Sequence, residues 1–169
     1  DANDIISINN DAANVFGSNQ ASTISFWLSN EESENGVLFS KGSHSTQKYL
    51  DVYLDNASEH RGLALSLYNL NAGQIKYNIF SRQNILSANI WNHVVFIRGE
   101  MGKVYLNGND VTDYDKSTNA GWSYDYNAIL SEGLTIGARR FSGRHENFYG
   151  GKLDNIRIYN RALSEAEVA

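Results

Sequence analysis

The chain has 169 residues, 41% hydrophobic and 20% charged, which fits one globular domain and excludes a disordered segment. A net charge of −5 argues against a global attraction to nucleic acid, and no apolar run approaches the ~20 residues of a membrane span. The absence of cysteine excludes disulfide staples, zinc–thiolate sites and thiol catalysis.

Proline is absent too, so turns fall to 14 glycines and to Asn, Asp and Ser. Short alternating runs separated by polar turns predict an all-β sandwich. Ile24, Phe26 and Leu28 share one face, with Ser25 and Trp27 opposite. The run Val37 to Gly42 follows, and Lys41 and His44, placed in the loop after an early strand, are weaker ligand candidates. Leu50, Val52 and Leu54 share a face; Tyr49, Asp51 and Tyr53 point the other way, and Tyr49 and Tyr53 are further candidates. Leu63, Leu65 and Leu67 repeat the period, and the stretch Ile75 to Phe80 continues it less cleanly. Val94 to Ile97 is apolar on both faces, as a central covered strand would be. Asn107-Gly108 between two runs predicts a type I′ hairpin, which needs positive φ at both central residues.

The segment Val111 to Ser131 is longer than an ordinary hairpin connection. Within it Trp122, Tyr124 and Tyr126 alternate, so an extended chain would put them on one face. They read either as a loop tucked over the sandwich edge or as a platform for stacking a sugar ring. Asp113, Asp115 and Asp125 in the same stretch form an oxygen-rich group. Next comes a basic cluster, Arg139, Arg140, Arg144 and His145. Arginine suits bidentate pairing with carboxylate or sulfate. The alternative is solvated arginines paired with local acids such as Glu146.

Asp154 shares parity with Ile156 and Ile158, so it is expected to point inward. A buried carboxylate must be paired or coordinated. Backbone amides would satisfy it, or a structural calcium, with Asp1, Asn3 and Asp4 nearby if the end strands pair. Ser164-Glu-Ala-Glu167 has the form of a capping box and predicts a short C-terminal helical turn, with Leu163 and Val168 at the staple positions.

Two segments carry a resemblance. Trp91-Asn-His93-Val-Val-Phe with Lys103-Val-Tyr-Leu-Asn-Gly108, and Gly151-Lys-Leu-Asp-Asn-Ile-Arg-Ile-Tyr-Asn-Arg-Ala-Leu-Ser-Glu-Ala-Glu-Val168, resemble the strand, hairpin and closing motif of laminin-G-like domains of the concanavalin A-like superfamily. Thr23 to Leu28, Val37 to Gly42 and Leu134 to Gly137 echo the same family. The resemblance implies a jelly-roll β-sandwich of two antiparallel sheets over residues 1–169, a single domain excised from a larger protein, since a jelly roll pairs its terminal strands and little precedes Ile5. Trp27, Trp91 and His93 lie on family strands and read as structural. In the related pentraxins the loop after the "L-G" strand carries acidic calcium ligands; here arginines stand there. The fold serves lectins, carbohydrate-binding modules, adhesion domains and polysaccharide-cleaving enzymes alike.

Retaining glycosidases need two carboxylates about 5 Å apart, often in an E-x-D-x-x-E pattern in catalytic relatives of this fold. That pattern is absent, and Glu31-Glu32-Ser33-Glu34 reads as a solvated loop. The strand motifs of lyases, the nucleophile elbow and the phosphate loop are absent as well. The expectation is a non-catalytic carbohydrate-binding module of a secreted, bacterial protein. It would bind a polysaccharide or oligosaccharide, with a uronate or sulfated polymer as the specific guess, and bring other domains of its parent to the polymer. It requires no cofactor and has structural calcium as an option. The rival reading is a structural or adhesive extracellular domain that binds protein.

Overall fold

The alternation builds strands where the sequence predicts them. The computed structural model describes residues 4–9, 21–31, 35–55, 62–69, 75–118 and 132–169. In chain order these hold β1 (Ile6–Ile8), β2 (Ser22–Ser29), β3 (Gly36–Ser43), β4 (Lys48–Asp55), β5 (Gly62–Asn69) and β6 (Ile75–Phe80). There follow β7 (Asn92–Arg98), β8 (Lys103–Leu106), β9 (Asn109–Asp110), β10 (Leu134–Ile136), β11 (Arg139–Phe141), β12 (Arg144–Glu146) and β13 (Lys152–Tyr159), then α1 (Glu165–Val168). A six-stranded sheet runs β1-β10-β3-β4-β5-β6 and a five-stranded sheet runs β13-β2-β7-β8-β9. Every pairing is antiparallel. This is a jelly-roll sandwich.

The inward residues of the two sheets make one core. Ile24, Phe26 and Leu28 of β2 and Val94 and Phe96 of β7 meet Leu50, Val52 and Leu54 of β4 and Leu63, Leu65 and Leu67 of β5. Full burial of each such side chain contributes about 1.5–3 kcal/mol against leaving it in water. β7 is central and apolar on both faces because its outer face is also covered. Val95 and Ile97, with Tyr105, pack under Leu163 and Val168 at the C-terminal turn. That turn is held by Glu167, which accepts from the Ser164 amide at 2.9 Å and from the Ser164 hydroxyl at 2.9 Å. The Asn107-Gly108 turn has φ of 49° and 79°, as the type I′ geometry requires.

Two expectations are corrected. β1 pairs with β10, in register Ile6↔Ile136 and Ile8↔Leu134, so among the described residues the two end strands do not pair with each other. Aligning those isoleucines with β10 lets Ile8 pack against the main core. Secondly, Asp154 is exposed, not inward. β13 carries a bulge: Asp154 faces Trp27 and Arg157 faces Ser25, so Asn155 and Ile156 together oppose Phe26. Asn155 adopts φ of 50°, and the extra residue flips the parity that the sequence implied. Trp27 and Trp91 are 39% and 43% exposed.

Candidate functional site

The outer face of the six-stranded sheet is polar where it crosses its middle. Strand register puts Thr135, Ser40, Asp51, Ser66 and Asn78 side by side in one row across β10, β3, β4, β5 and β6. Alternation requires this: their neighbours Leu50, Val52, Leu65 and Leu67 face the core. On one side of the row lie Gly42, Tyr49 and Tyr68, and on the other Val37, Tyr53 and Ala64. Tyrosines therefore stand over a floor of small residues with one carboxylate among them.

The chain shapes the rest of the cavity. After β3 a 3-10 turn, His44–Thr46, folds His44 back over Tyr49. Their rings stack with centroids 3.6 Å apart and planes 14° from parallel, and Tyr49 stacks on Tyr68 at 5.5 Å. After β10, Gly137 turns the chain at φ of 87°, and the β11-β12 hairpin packs over β3 and the 3-10 turn. A side chain at Gly137 would put its Cβ 2.6 Å from the Asp4 carbonyl oxygen, so glycine is required there. The hairpin brings Arg139 to a cavity of about 370 Å³ whose lining includes His44, Tyr49, Asp51, Tyr53 and Ser66.

Its polar groups are arranged unevenly. A carboxylate oxygen only accepts, so His44 Nε2 donates to Asp51 Oδ2 at 2.6 Å. Among the described residues Asp51 Oδ1 is buried without a hydrogen-bond partner, and so is the hydroxyl of its cross-strand neighbour Ser40. A buried acceptor with no donor costs about 1–3 kcal/mol. Tyr53 and Ser66 share a hydrogen bond of 3.3 Å. Burial, reinforced by the Asp51 carboxylate, pushes the Tyr49 phenol above its ordinary pKa. Burial does the same for Tyr53 against the pull of Ser66. Both phenols therefore stay protonated and able to donate. Arg139 gives Nε and a terminal nitrogen to Glu146 Oε1 at 2.9 and 2.7 Å, so its charge is already compensated.

Of the residues marked from sequence, His44, Tyr49, Tyr53 and Arg139 converge on this cavity. Lys41 does not. It lies inside β3, where register pairs it with the inward-facing Leu50 and Leu134, and it is fully buried, which lowers its pKa. The basic cluster divides between the two faces of its hairpin. Arg139 pairs across with Glu146, whereas Arg140 faces His145 and lies 3.6 Å from Glu132. Arg144 is exposed at the hairpin tip. Trp122, Tyr124 and Tyr126, like Asp1, Asn3 and Asp125, fall outside the described residues. Asp113 pairs with Lys116, and Asp115 is exposed.

Asp154 lies in solvent and accepts from the Asn155 amide at 2.7 Å. Among the described residues no three His, Asp or Glu side chains gather as a metal site would need. Sequence reasoning passed over Asp51 and Ser66 as ligand groups. The signal was there: Asp51 is the charged residue between two tyrosines on the outward parity of β4.

A two-sheet jelly roll with a polar, aromatic-edged cavity on one outer face is a lectin-like sandwich. The whole sequence, residues 1–169, matches the Laminin_G_3 model, and the chain belongs to the concanavalin A-like lectin/glucanases superfamily. No curated protein sequence matches it. Similar solved structures include the CBM40 of the Ruminococcus gnavus IT-sialidase bound to α2,3-sialyllactose, at 17% identity and TM-score 0.70, covering 98% of this chain and 94% of that one. A NanB sialidase variant from Streptococcus pneumoniae aligns at 17% identity and TM-score 0.69, covering 96% of this chain. The chain spans about a quarter, 26%, of that sialidase. A pentraxin from Limulus polyphemus aligns at 19% identity and TM-score 0.56 over 88% of this chain and 69% of its own. At these identities the likeness is one of fold. No helix among the described residues is long and apolar enough to cross a membrane.

Proposed function

We propose that the chain is a non-catalytic carbohydrate-binding module that holds a saccharide in the cavity on the outer face of the six-stranded sheet. The observation that carries this reading is a cavity of about 370 Å³ lined by the Asp51 carboxylate together with His44, Tyr49, Tyr53 and Ser66. The Asp51 carboxylate accepts from sugar hydroxyls, the Tyr53 ring offers a face to pyranose C–H groups, and the Tyr49 phenol donates from the edge of its stack. Ser66 and the two phenols complete a set of donors and acceptors suited to hydroxyls.

The finer reading is an acidic polysaccharide. Arg139 is the residue that would take a carboxylate or sulfate, by exchanging Glu146 for the ligand's acid. The similar CBM40 binds sialyllactose, an acidic oligosaccharide, and this supports the reading without deciding it. In NanB the matched region is 26% of a longer enzyme. By analogy this module would sit beside a secreted catalytic domain and raise its effective concentration on the polymer.

Affinity electrophoresis tests the proposal, in gels containing neutral, uronic and sulfated polysaccharides, each run with and without EDTA. Retardation of wild type in at least one gel, reduced in Tyr49→Ala, is the expected result. A folded wild type retarded in none of them would refute it.

A further inference from the structure

The opposite side of the sandwich offers a second, chemically different surface. The outer face of the five-stranded sheet is covered at one end by Leu163 and Val168 over Val95, Ile97 and Tyr105. Beside that cover lies a cleft of about 470 Å³, bordered by Ser25, Trp27, His93, Asn107, Asn155 and Arg157. The indole of Trp27 is 39% exposed in it. It leans on the His93 ring, centroids 5.3 Å apart and planes 30° from parallel. The Ser25 hydroxyl fixes His93 Nε2 at 2.8 Å. Asn107 is fixed as well, since its Oδ1 accepts from the His93 amide at 2.8 Å and its Nδ2 donates to Asn92 at 3.0 Å. The platform is therefore rigid.

The bulge in β13 sets the other wall. It brings Asn155 and Arg157 beside Trp27 and Ser25 on one face. Among the described residues neither the Arg157 guanidinium nor the Asn155 side-chain amide has a hydrogen bond or ion pair. Arg139, Arg140 and Arg161 are each neutralised by a glutamate, and Arg157 is not. The acid on this face, Asp154, is the cross-strand partner of Trp27, and its Oδ1 takes the Asn155 backbone amide at 2.7 Å. An exposed indole plane with an unpaired guanidinium and a free amide beside it matches a sugar ring that carries an acid. On such a ring the C–H face would lie on Trp27, the acid would pair with Arg157, and a hydroxyl would meet Asn155.

We infer that this cleft is a second saccharide site, selective for an acidic pyranose, on the opposite face of the sandwich from the Asp51 cavity. The two sites share no residue, so one stands if the other falls. With both occupied, one module would bridge two polymer strands.

Affinity electrophoresis separates them, in gels of alginate, polygalacturonate and chondroitin sulfate. Tyr49→Ala removes the cavity's ring and should still be retarded in at least one gel. Adding Trp27→Ala should weaken that residual retardation about tenfold or more, a 1.4 kcal/mol effect. Adding Arg157→Gln, which leaves the indole in place, should do so as well, and a melting curve for each variant shows that it is folded. The inference is overturned if Tyr49→Ala alone abolishes retardation in all three gels, or if folded Trp27→Ala and Arg157→Gln variants leave it unchanged. Retardation of Tyr49→Ala equal to wild type would instead refute the cavity reading and leave this one standing.

Discussion

Asp51 holds His44 through one carboxylate oxygen, at 2.6 Å, and leaves the other buried and without a donor. A structure that needed only to anchor the 3-10 turn would gain nothing from that second oxygen. Asp51→Asn keeps an acceptor for His44 and turns the orphan atom into a donor. Saccharide affinity should then fall about ten- to hundredfold, since hydrogen bonds to charged groups contribute about 1.5–3 kcal/mol. The melting temperature should change little, because the acceptor for His44 is kept and only the oxygen without a partner is replaced. Isothermal titration and a melt on the same sample measure both.

Gly36 begins β3 at the rim of the cavity. A Cβ there would lie 2.6 Å from Tyr149 Cα and 2.7 Å from the Phe148 carbonyl oxygen, both backbone atoms. Gly36→Ala should destabilise the fold by about 1–3 kcal/mol and lower Tm by several degrees. Chemical denaturation with an unchanged m-value would confirm that the native state alone is affected.

Asn155 forms the β13 bulge at φ of 50°. Asn155→Gly should fold as well as wild type, whereas Asn155→Val should lose roughly 1–2 kcal/mol, because a β-branched side chain resists that conformation. Equal stability of the two variants would show that the bulge is not needed.

Glu167 accepts from Arg161, from the Ser164 amide and from the Ser164 hydroxyl, and these bonds pull its pKa down from 4.5 to about 2. A depressed folded pKa stabilises the fold above the unfolded value and ceases to do so as pH falls through the folded one. The Tm difference between wild type and Glu167→Gln should therefore be constant above about pH 5 and shrink toward zero near pH 2. The carboxylate is solvent-exposed, so the difference at neutral pH should be small.

The fold was legible because its signals are periodic. Ile24 to Leu28, Leu50 to Leu54 and Leu63 to Leu67 alternate without interruption, and Asn107-Gly108 names its own turn. Asp154 misled because a single left-handed residue, Asn155, resets a period of two. Lys41 misled because β3 runs on to Ser43, so the lysine stays within the strand, on the inward parity. The site was half legible: Tyr49 and Tyr53 were marked by their outward parity. Their meeting with Arg139, some ninety residues away, depends on the β11-β12 hairpin folding back over β3, and a one-dimensional pattern does not hold that information. The contrast between a compensated Arg139 and an unpaired Arg157 is likewise a matter of neighbours across strands.

The central claim is that the Asp51 cavity takes a sugar. Its most direct test is amide chemical-shift mapping of the isotope-labelled domain, titrated with α2,3-sialyllactose, with oligogalacturonate and with a neutral oligosaccharide. The account predicts saturable shifts at Ser40, His44, Tyr49, Asp51 and Ser66 with at least one of these ligands, and their loss in Asp51→Asn. Saturable binding that leaves those five amides unmoved, or no binding of any of the three, would contradict it.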